Sequence, residues 1–383
     1  MSVEKEKRAA EITTKAIVSD SIQEPVIPIL MFGCNRPSIK RALESLLAVR
    51  RERIDQHPIY VSLDCKHTET IESVKAFGDA VNFWVVPDHQ EELAKTIPPN
   101  TENFMKPYYA ISFHYKYALK RLFGTNDYEQ VIIVEDDFEF SPDFLSYFRA
   151  MLPILVKDKS LYCVSSWNDN GKNELINDER KLIVLVKLLG RVFRTDFFPG
   201  LGWMMTRELW NEIEGKWPAA FWDDWLREPE NRNSRQCIVP EVSRTSNFGK
   251  IGTSNGQFYD SHIRHVVKQD GFYDFEANNW DYLGDRERYN QDFLKQVYEY
   301  STKSSLESVK KNFERGNYRI EYADFNEFQN LARTFGLMSD IKGGIPRMSF
   351  EGIVTLKYRK QNTVYLAPKR IDPKEDDLSN LNE

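Results

Sequence analysis

The chain has 383 residues, 41% hydrophobic, 29% charged and 13% aromatic, with a formal net charge of −6 and a pI near 5.7. That length supports one large domain or two unequal ones with a core to match, and the acidic balance argues against nucleic acid, which selects a basic face. No apolar run approaches the ~20 residues that span a bilayer, and the opening MSVEKEKRAAEITTK has no apolar signal-type segment, so residues 1–24 are expected to be a tail without an anchor.

From Pro25 the pattern alternates. PVIPILMF (25–32) reads as a buried strand, and Pro37 then opens a helix with Ile39, Leu43, Leu46 and Leu47 on one face. IYVSLD (59–64) is a second strand, followed by a helical pattern through 78, and VNFWVV (81–86) is a third. YYAISFHYKYALKRLF (108–123) is a helix leading into VIIVEDD (131–137). SPDFLSYFRAMLPIL predicts another helix, with Ser141 as N-cap and Pro142 at the first helical position. LYCVSSW (161–167) is a further strand.

This β-α-β alternation with continuously apolar strands predicts an α/β fold, a mostly parallel sheet flanked by helices. Ligands of such sheets lie beyond the carboxyl ends of the strands, here Gly33–Arg36, Asp64–Cys65 and Glu135–Asp137. After about residue 250 the pattern changes: RIEYADF (319–325), a helix over 328–336 and a hairpin-like 352–368 predict a smaller C-terminal α+β domain. The expected division is a 25–249 catalytic domain, a 250–285 lid loop and linker, and a 286–383 domain with an acidic tail.

The carboxylates of Glu135, Asp136 and Asp137 repel one another, and crowding near a closed site raises their pKa values. A hard divalent cation such as Mg2+ or Mn2+ removes that conflict while bridging a substrate's phosphates. The competing reading is a solvated acidic turn at the next helix N-terminus. Neither a P-loop nor a dinucleotide fingerprint accompanies the cluster, which leaves the metal-bridged diphosphate of a nucleotide sugar and a GT-A type glycosyltransferase fold. Taken alone, His114 is a helix-face histidine, Asp223 and Asp224 are helix N-terminal caps, and Ser254 sits on a surface loop with Gly249, Gly252 and Gly256. By composition the four cysteines, Cys34, Cys65, Cys163 and Cys237, read as buried free thiols, and their spacing fits no zinc site.

Six longer motifs occur in order: EDDFEFSPDF, LYCVSSWNDNGK, RTDFFPGLGW, KWPAAFWDDWLR, CIVPEVSRTSNFG and SNGQFYD. Together they resemble the N-acetylglucosaminyltransferase I family over residues 25–370, more weakly after 270. The resemblance implies an inverting enzyme that uses UDP-GlcNAc and Mn2+ and adds GlcNAc in β1,2 linkage to the α1,3-arm mannose of a high-mannose N-glycan. It implies Asp137 as the metal ligand, Asp136 on the ribose, Glu135 on the donor sugar, and Arg36, Asp64, His114 and Ser254 as further donor contacts. The segment around Ser254 would then be a lid over the diphosphate. Asp223 would be the general base, with Trp222 beside it on the acceptor side and Asp224 supporting the helix. It also implies disulfides Cys34–Cys65 and Cys163–Cys237, hence an oxidising lumen, that of the Golgi.

Two departures stand out. The family is anchored in the membrane, and KLIVLVKLLGRVF (181–193) is longer than the family's connection into RTDFFPGLGW. Alternative readings are an O-mannose β-1,2-GlcNAc transferase, disfavoured by WDDW and EDD, and a glycan-binding pseudoenzyme, disfavoured by retention of Asp137, Asp223 and Ser254. A metal-dependent phosphohydrolase lacks a nucleophile near the carboxylates.

Overall fold

The computed structural model describes residues 24–176, 190–311 and 314–370. The expected N-terminal tail, the acidic C-terminus and the 181–189 part of the apolar insert lie outside these residues. Ten strands precede residue 250 among the described residues: Ile29–Gly33 (β1), Ile59–Leu63 (β2), Asn82–Val85 (β3), Gln130–Glu135 (β4), Phe138–Phe140 (β5), Leu161–Ser165 (β6), Val192–Thr195 (β7), Trp203–Thr206 (β8), Gln236–Pro240 (β9) and Thr245–Asn247 (β10). Eight of them form one sheet in the order β3-β2-β1-β4-β8-β6-β9-β7, while β5 and β10 pair separately. Pairings β1–β2, β1–β4, β2–β3 and β6–β9 are parallel, whereas β8 runs antiparallel between β4 and β6 and β7 antiparallel to β9.

The mostly parallel α/β sheet is therefore the one the alternation predicts. Strands β7, β8 and β9 were not legible: β7 and β8 have four residues each, with Arg194 in β7 and PGLG before β8, and β9 opens on polar Gln236. Both faces of the sheet are covered. Helices Ile39–Arg50 (α1) and Phe144–Lys157 (α3) pack on one, with Ile29, Met31, Ile132 and Val134 beneath them. Helix Lys106–Thr125 (α2) packs on the other, over Leu30, Phe32, Val131 and Ile133. Alternate residues of each strand thus feed opposite cores, which is why these strands read as unbroken apolar runs.

Helix α3 begins later than its sequence signals. Its N-cap is Asp143, not Ser141. The chain is still committed to β5 at Phe140, and the Ser141 hydroxyl is spent on the Asp143 carboxylate at 2.7 Å. Asp143 in turn meets Arg244 at 3.0 Å, both side chains fully buried, and the Ser141 N–H donates to the Arg244 carbonyl at 2.9 Å. This pair locks the start of α3 to the residue just before β10, directly behind the β4 carboxylates.

Both disulfides form, Cys34–Cys65 across the ends of β1 and β2 and Cys163–Cys237 between paired residues of β6 and β9. This overturns the free-thiol reading from composition, which carries no information on strand register. The C-terminal residues build their own four-stranded sheet from Thr302–Lys303 (β11), Asn317–Tyr322 (β12), Val354–Tyr358 (β15) and Asn362–Pro368 (β16), with the hairpin Ile341–Lys342 (β13) and Ile345–Pro346 (β14) beside it. A separate core holds it together, including Phe328 and Leu331 of a covering helix, Phe325–Thr334.

Arg244→Met should strip the countercharge from buried Asp143 and cost about 3–5 kcal/mol, read as a lower urea midpoint; an unchanged midpoint would show the pair to be dispensable.

Candidate active site

The parity of β4 decides where its carboxylates go. Glu135 continues the series of Val131 and Ile133 toward the α2 layer, and there Tyr115 of α2 donates its hydroxyl to Oε1 at 3.1 Å. Asp136 falls on the opposite side and accepts the Cys34 backbone N–H. Asp137 lies at the turn into β5. Because β5 pairs antiparallel with β10, Asn247 stands opposite Phe138, and its Nδ2 donates to Asp137 Oδ1 at 3.0 Å. The Phe248 N–H donates to the Asp137 carbonyl at 2.9 Å. Gly249 follows so closely that a Cβ there would collide with the Asp137 carboxylate and the Arg36 guanidinium.

Arg36, just beyond β1, closes the cluster. Its Nη1 meets Asp136 Oδ1 at 3.0 Å and Asp137 Oδ2 more closely, and its Nη2 donates to the Ile251 carbonyl at 2.7 Å. Burial opposes the arginine's charge, but the carboxylates, Asp137 foremost, outweigh it and hold its pKa above the ordinary value. Burial also pushes Glu135 up to about 8, with Asp137 adding to the rise, and Asp136 up to about 7 against the pull of Arg36. Burial likewise keeps the Tyr115 hydroxyl protonated, well above its ordinary pKa, so that it remains a donor.

The β2 end carries Asp64. Burial raises its carboxyl pKa while His89, 3.4 Å away, draws it back. Asp64, Cys65, Val86, Pro87, His89 and Ala110 border a cavity of about 580 Å3. His114 does not face this space freely. It is 6% exposed, its Nε2 is 2.8 Å from Ser62 Oγ, and burial pushes its pKa down to about 3, so the ring is neutral. Ser254 lies on an exposed turn, where its carbonyl accepts the Gln257 N–H at 3.0 Å. The loop reaches the carboxylates through Gly249 and Ile251 rather than through Ser254.

The second half of the site is helix Trp222–Arg227 (α4). It is entered through Phe221 in the left-handed region, φ 53°, a conformation that is costly for a bulky side chain. The Asp223 side chain, 46% exposed, receives Arg227 Nη1 at 2.8 Å, and the same nitrogen meets Asp224 Oδ1 at 2.8 Å. Trp222 is only 8% exposed and stacks on Tyr115 at 4.4 Å between ring centroids, with Trp217 and Trp203 at 5.9 and 6.0 Å. Its ring is largely taken up by this packing, which anchors the start of α4.

Tyr115 was missed in the sequence. Its ring lies between Phe32 (3.8 Å, 2°) and Trp222, and its hydroxyl holds Glu135, so one residue joins the carboxylate cluster to the helix of Asp223. The available signal was its place with Ala118, Leu119 and Leu122 on the buried face of α2, where a hydroxyl needs a polar partner.

The sequence profile of the GNT-I family matches residues 1–377. The chain belongs to the GNT-I family. An Arabidopsis thaliana protein named alpha-1,3-mannosyl-glycoprotein 2-beta-N-acetylglucosaminyltransferase is 35% identical over 348 residues, covering 90% of this chain and 74% of its own length. Among solved structures, a mannosyltransferase from Pyrobaculum calidifontis in complex with GDP-Man and Mn2+ is similar over 63% of this chain and 62% of its own, with 16% identity and a TM-score of 0.37. Glucosyl-3-phosphoglycerate synthase from Mycobacterium tuberculosis, with Mn2+ and UDP, is similar over 64% of this chain and 82% of its own, with 12% identity and a TM-score of 0.34. Likenesses at these scores carry no weight for activity.

The donor set of this GNT-I chain fits a divalent cation. Hard carboxylate oxygens crowd the end of β4, two of them already drawn to the Arg36 guanidinium. Among the described residues no group of three or more His, Cys, Asp or Glu side chains converges as a cage, so a cation here would take one or two protein oxygens and the rest of its ligands from a bound substrate or water.

Glu135 and Asp136 have folded-state pKa values of about 8 and 7, so the folded, cation-free protein holds protons that the unfolded chain has already lost. Their contribution to stability is complete below the ordinary carboxylate range and is lost as pH rises through 7 and 8. Between about pH 6.5 and 8 in EDTA the unfolding free energy, read from urea curves, should fall by up to ~1.4 kcal/mol per pH unit per group and level off above the two folded-state values. Glu135→Gln with Asp136→Asn should flatten the slope; an equal slope in that variant would contradict the assignment. His114 and His57, pushed down to about 3 and 4 by burial, take up protons only below this window.

Proposed function

We propose that this GNT-I family protein is an inverting α-1,3-mannosyl-glycoprotein 2-β-N-acetylglucosaminyltransferase. It transfers GlcNAc from UDP-GlcNAc, in β1,2 linkage, to the α1,3-arm mannose of a high-mannose N-glycan and so opens the way to hybrid and complex chains. The observation that carries the reading is the joining of the Glu135–Asp137 cluster to Asp223 through Tyr115, hydrogen-bonded at one side and stacked on Trp222 at the other. A donor bound beyond the β1, β2 and β4 ends would thereby present its sugar to the helix that carries Asp223.

Asp137 would hold Mn2+, with Asp136 on the ribose and Glu135 on a hydroxyl of the transferred sugar. The cation supplies Lewis-acid stabilisation of the charge that develops on departing UDP. Arg36 adds fixed positive charge on the same side. Asp64 lines the cavity that suits uridine, an acceptor carboxylate facing apolar walls. His114, hydrogen-bonded to Ser62 of β2, would be a further donor-side residue, and Ser254 belongs to the segment expected to close over the diphosphate.

On the opposite face the acceptor hydroxyl attacks the anomeric carbon as the bond to the UDP oxygen breaks, and Asp223 takes the hydroxyl proton. A carboxylate is a weak base toward an alcohol, so the proton moves late, when the oxygen already bears positive charge. Disulfide-linked β1–β2 and β6–β9 suit an oxidising compartment, and the Golgi lumen is the location that fits the proposed substrate. Among the described residues no helix is long and apolar enough to cross a membrane.

The test is a transfer assay with UDP-GlcNAc and a five-mannose N-glycan beside an O-mannosyl peptide. Product on the N-glycan is expected, and product on the peptide alone would transfer the assignment to the O-mannose enzymes. Asp137→Ala should abolish Mn2+-dependent donor binding measured by calorimetry; unchanged affinity would remove it as the metal ligand. Asp223→Asn should bind donor normally and lose ~10²-fold or more in kcat, whereas near-normal turnover would remove it as the base.

A further inference from the structure

The C-terminal hairpin reaches the helix of the proposed base. Lys342 of β13 donates to Asp224 Oδ2 at 3.0 Å across 118 positions of sequence. The next residue, Gly343, has φ 52° and lies against the Arg227 carbonyl, with no room for a Cβ. Arg227 is 7% exposed. It lies over the Phe197 ring at 5.0 Å, donates from Nε to the Phe198 carbonyl at 3.0 Å, and spends Nη1 on both Asp223 and Asp224.

These contacts form a chain with a direction. One guanidinium nitrogen is shared by two carboxylates, so the Asp224 position decides how that nitrogen meets Asp223. Left to itself, Asp224 would compete for the nitrogen with both of its oxygens. Lys342 draws one of them away. The hairpin is itself held from behind: Arg347, just past β14, meets Asp169 of the WNDNGK loop at 2.9 Å and Asp340 at 2.6 Å. Lys172 of the same loop donates to the Gly336 carbonyl at 2.6 Å. The hairpin is thus a bracket fixed to the main sheet at one end and to α4 at the other.

Resting on Asp223 as the base, we infer that the C-terminal unit completes the active site: Lys342 and Arg227 are positioning residues that orient the Asp223 carboxylate through Asp224. The unit is accordingly part of the transfer machinery and not an appended module. A carboxylate that must meet an acceptor hydroxyl late in the reaction loses rate steeply when displaced, since errors near 1 Å cost up to ~10²-fold. Donor binding, at the β1, β2 and β4 ends, does not depend on this bracket.

The experiment compares Lys342→Met, Lys342→Arg and Gly343→Ala in the full chain with Asp223→Asn as reference, reading kcat, acceptor KM, donor Kd and Tm. Lys342→Met should lower kcat about tenfold with donor Kd and Tm unchanged. Lys342→Arg should recover most of that loss, and Gly343→Ala, which pushes the hairpin off Arg227, should lower kcat in the same way. Normal kcat in Lys342→Met while Asp223→Asn is inactive would overturn the inference alone. Loss of kcat only in proportion to a fall in Tm and in donor affinity would overturn it too, since that is what a purely structural contact produces. An active Asp223→Asn enzyme would remove the base assignment and this inference with it.

Discussion

Everything in the molecule is arranged around one electrostatic problem: three consecutive carboxylates at the end of a buried strand. In water such a triplet is unremarkable. Where β4 delivers it, burial and mutual repulsion push Glu135 and Asp136 up to about 8 and 7, against the pull of the Tyr115 hydroxyl on Glu135 and of Arg36 and the Cys34 N–H on Asp136. A site that charges readily only when positive charge arrives is suited to a substrate brought in with a cation, such as a nucleotide diphosphate. The constraint also explains the close fit of Gly249, because the loop after β10 must pass directly beside Asp137 and Arg36.

The second requirement is that the carboxylate cluster and Asp223 share one frame. They come from distant parts of the chain and different secondary-structure elements. One interaction joins them, and a second fixes the cluster from behind. Tyr115 is held between Phe32 and Trp222 while its hydroxyl fixes Glu135, and the buried Asp143–Arg244 pair fastens β10, and with it Asn247, behind Asp137. The aromatic cluster of Trp203, Trp217 and Trp222 is therefore structural in the first instance. It keeps α4 at a set distance from the strand ends, and the Phe221 ring at the strained entry stacks on Tyr108 of α2.

Much of this was legible in the sequence. VIIVEDD announced a buried strand ending in carboxylates, and the alternation of strand and helix placed Arg36, Asp64 and Glu135–Asp137 along one sheet edge. The family motifs supplied the cysteine pairing, which composition alone had read the other way. What escaped was long-range pairing. Strands β7 and β8 hold too few residues to show a period, β9 opens on polar Gln236, and Tyr115 looked like one more aromatic on an amphipathic helix. Ser141 carried every local sign of an N-cap, yet β5–β10 pairing took the chain two residues further before α3 could begin.

The most direct measurement is a crystal structure with UDP-GlcNAc and manganese, located by its anomalous signal. The account predicts a single manganese peak within coordination distance, about 2.0–2.6 Å, of an Asp137 carboxylate oxygen and of the diphosphate, with the anomeric carbon open toward Asp223. A manganese peak bound away from Asp137, or a donor seated on the far side of Tyr115 from the strand ends, would contradict it.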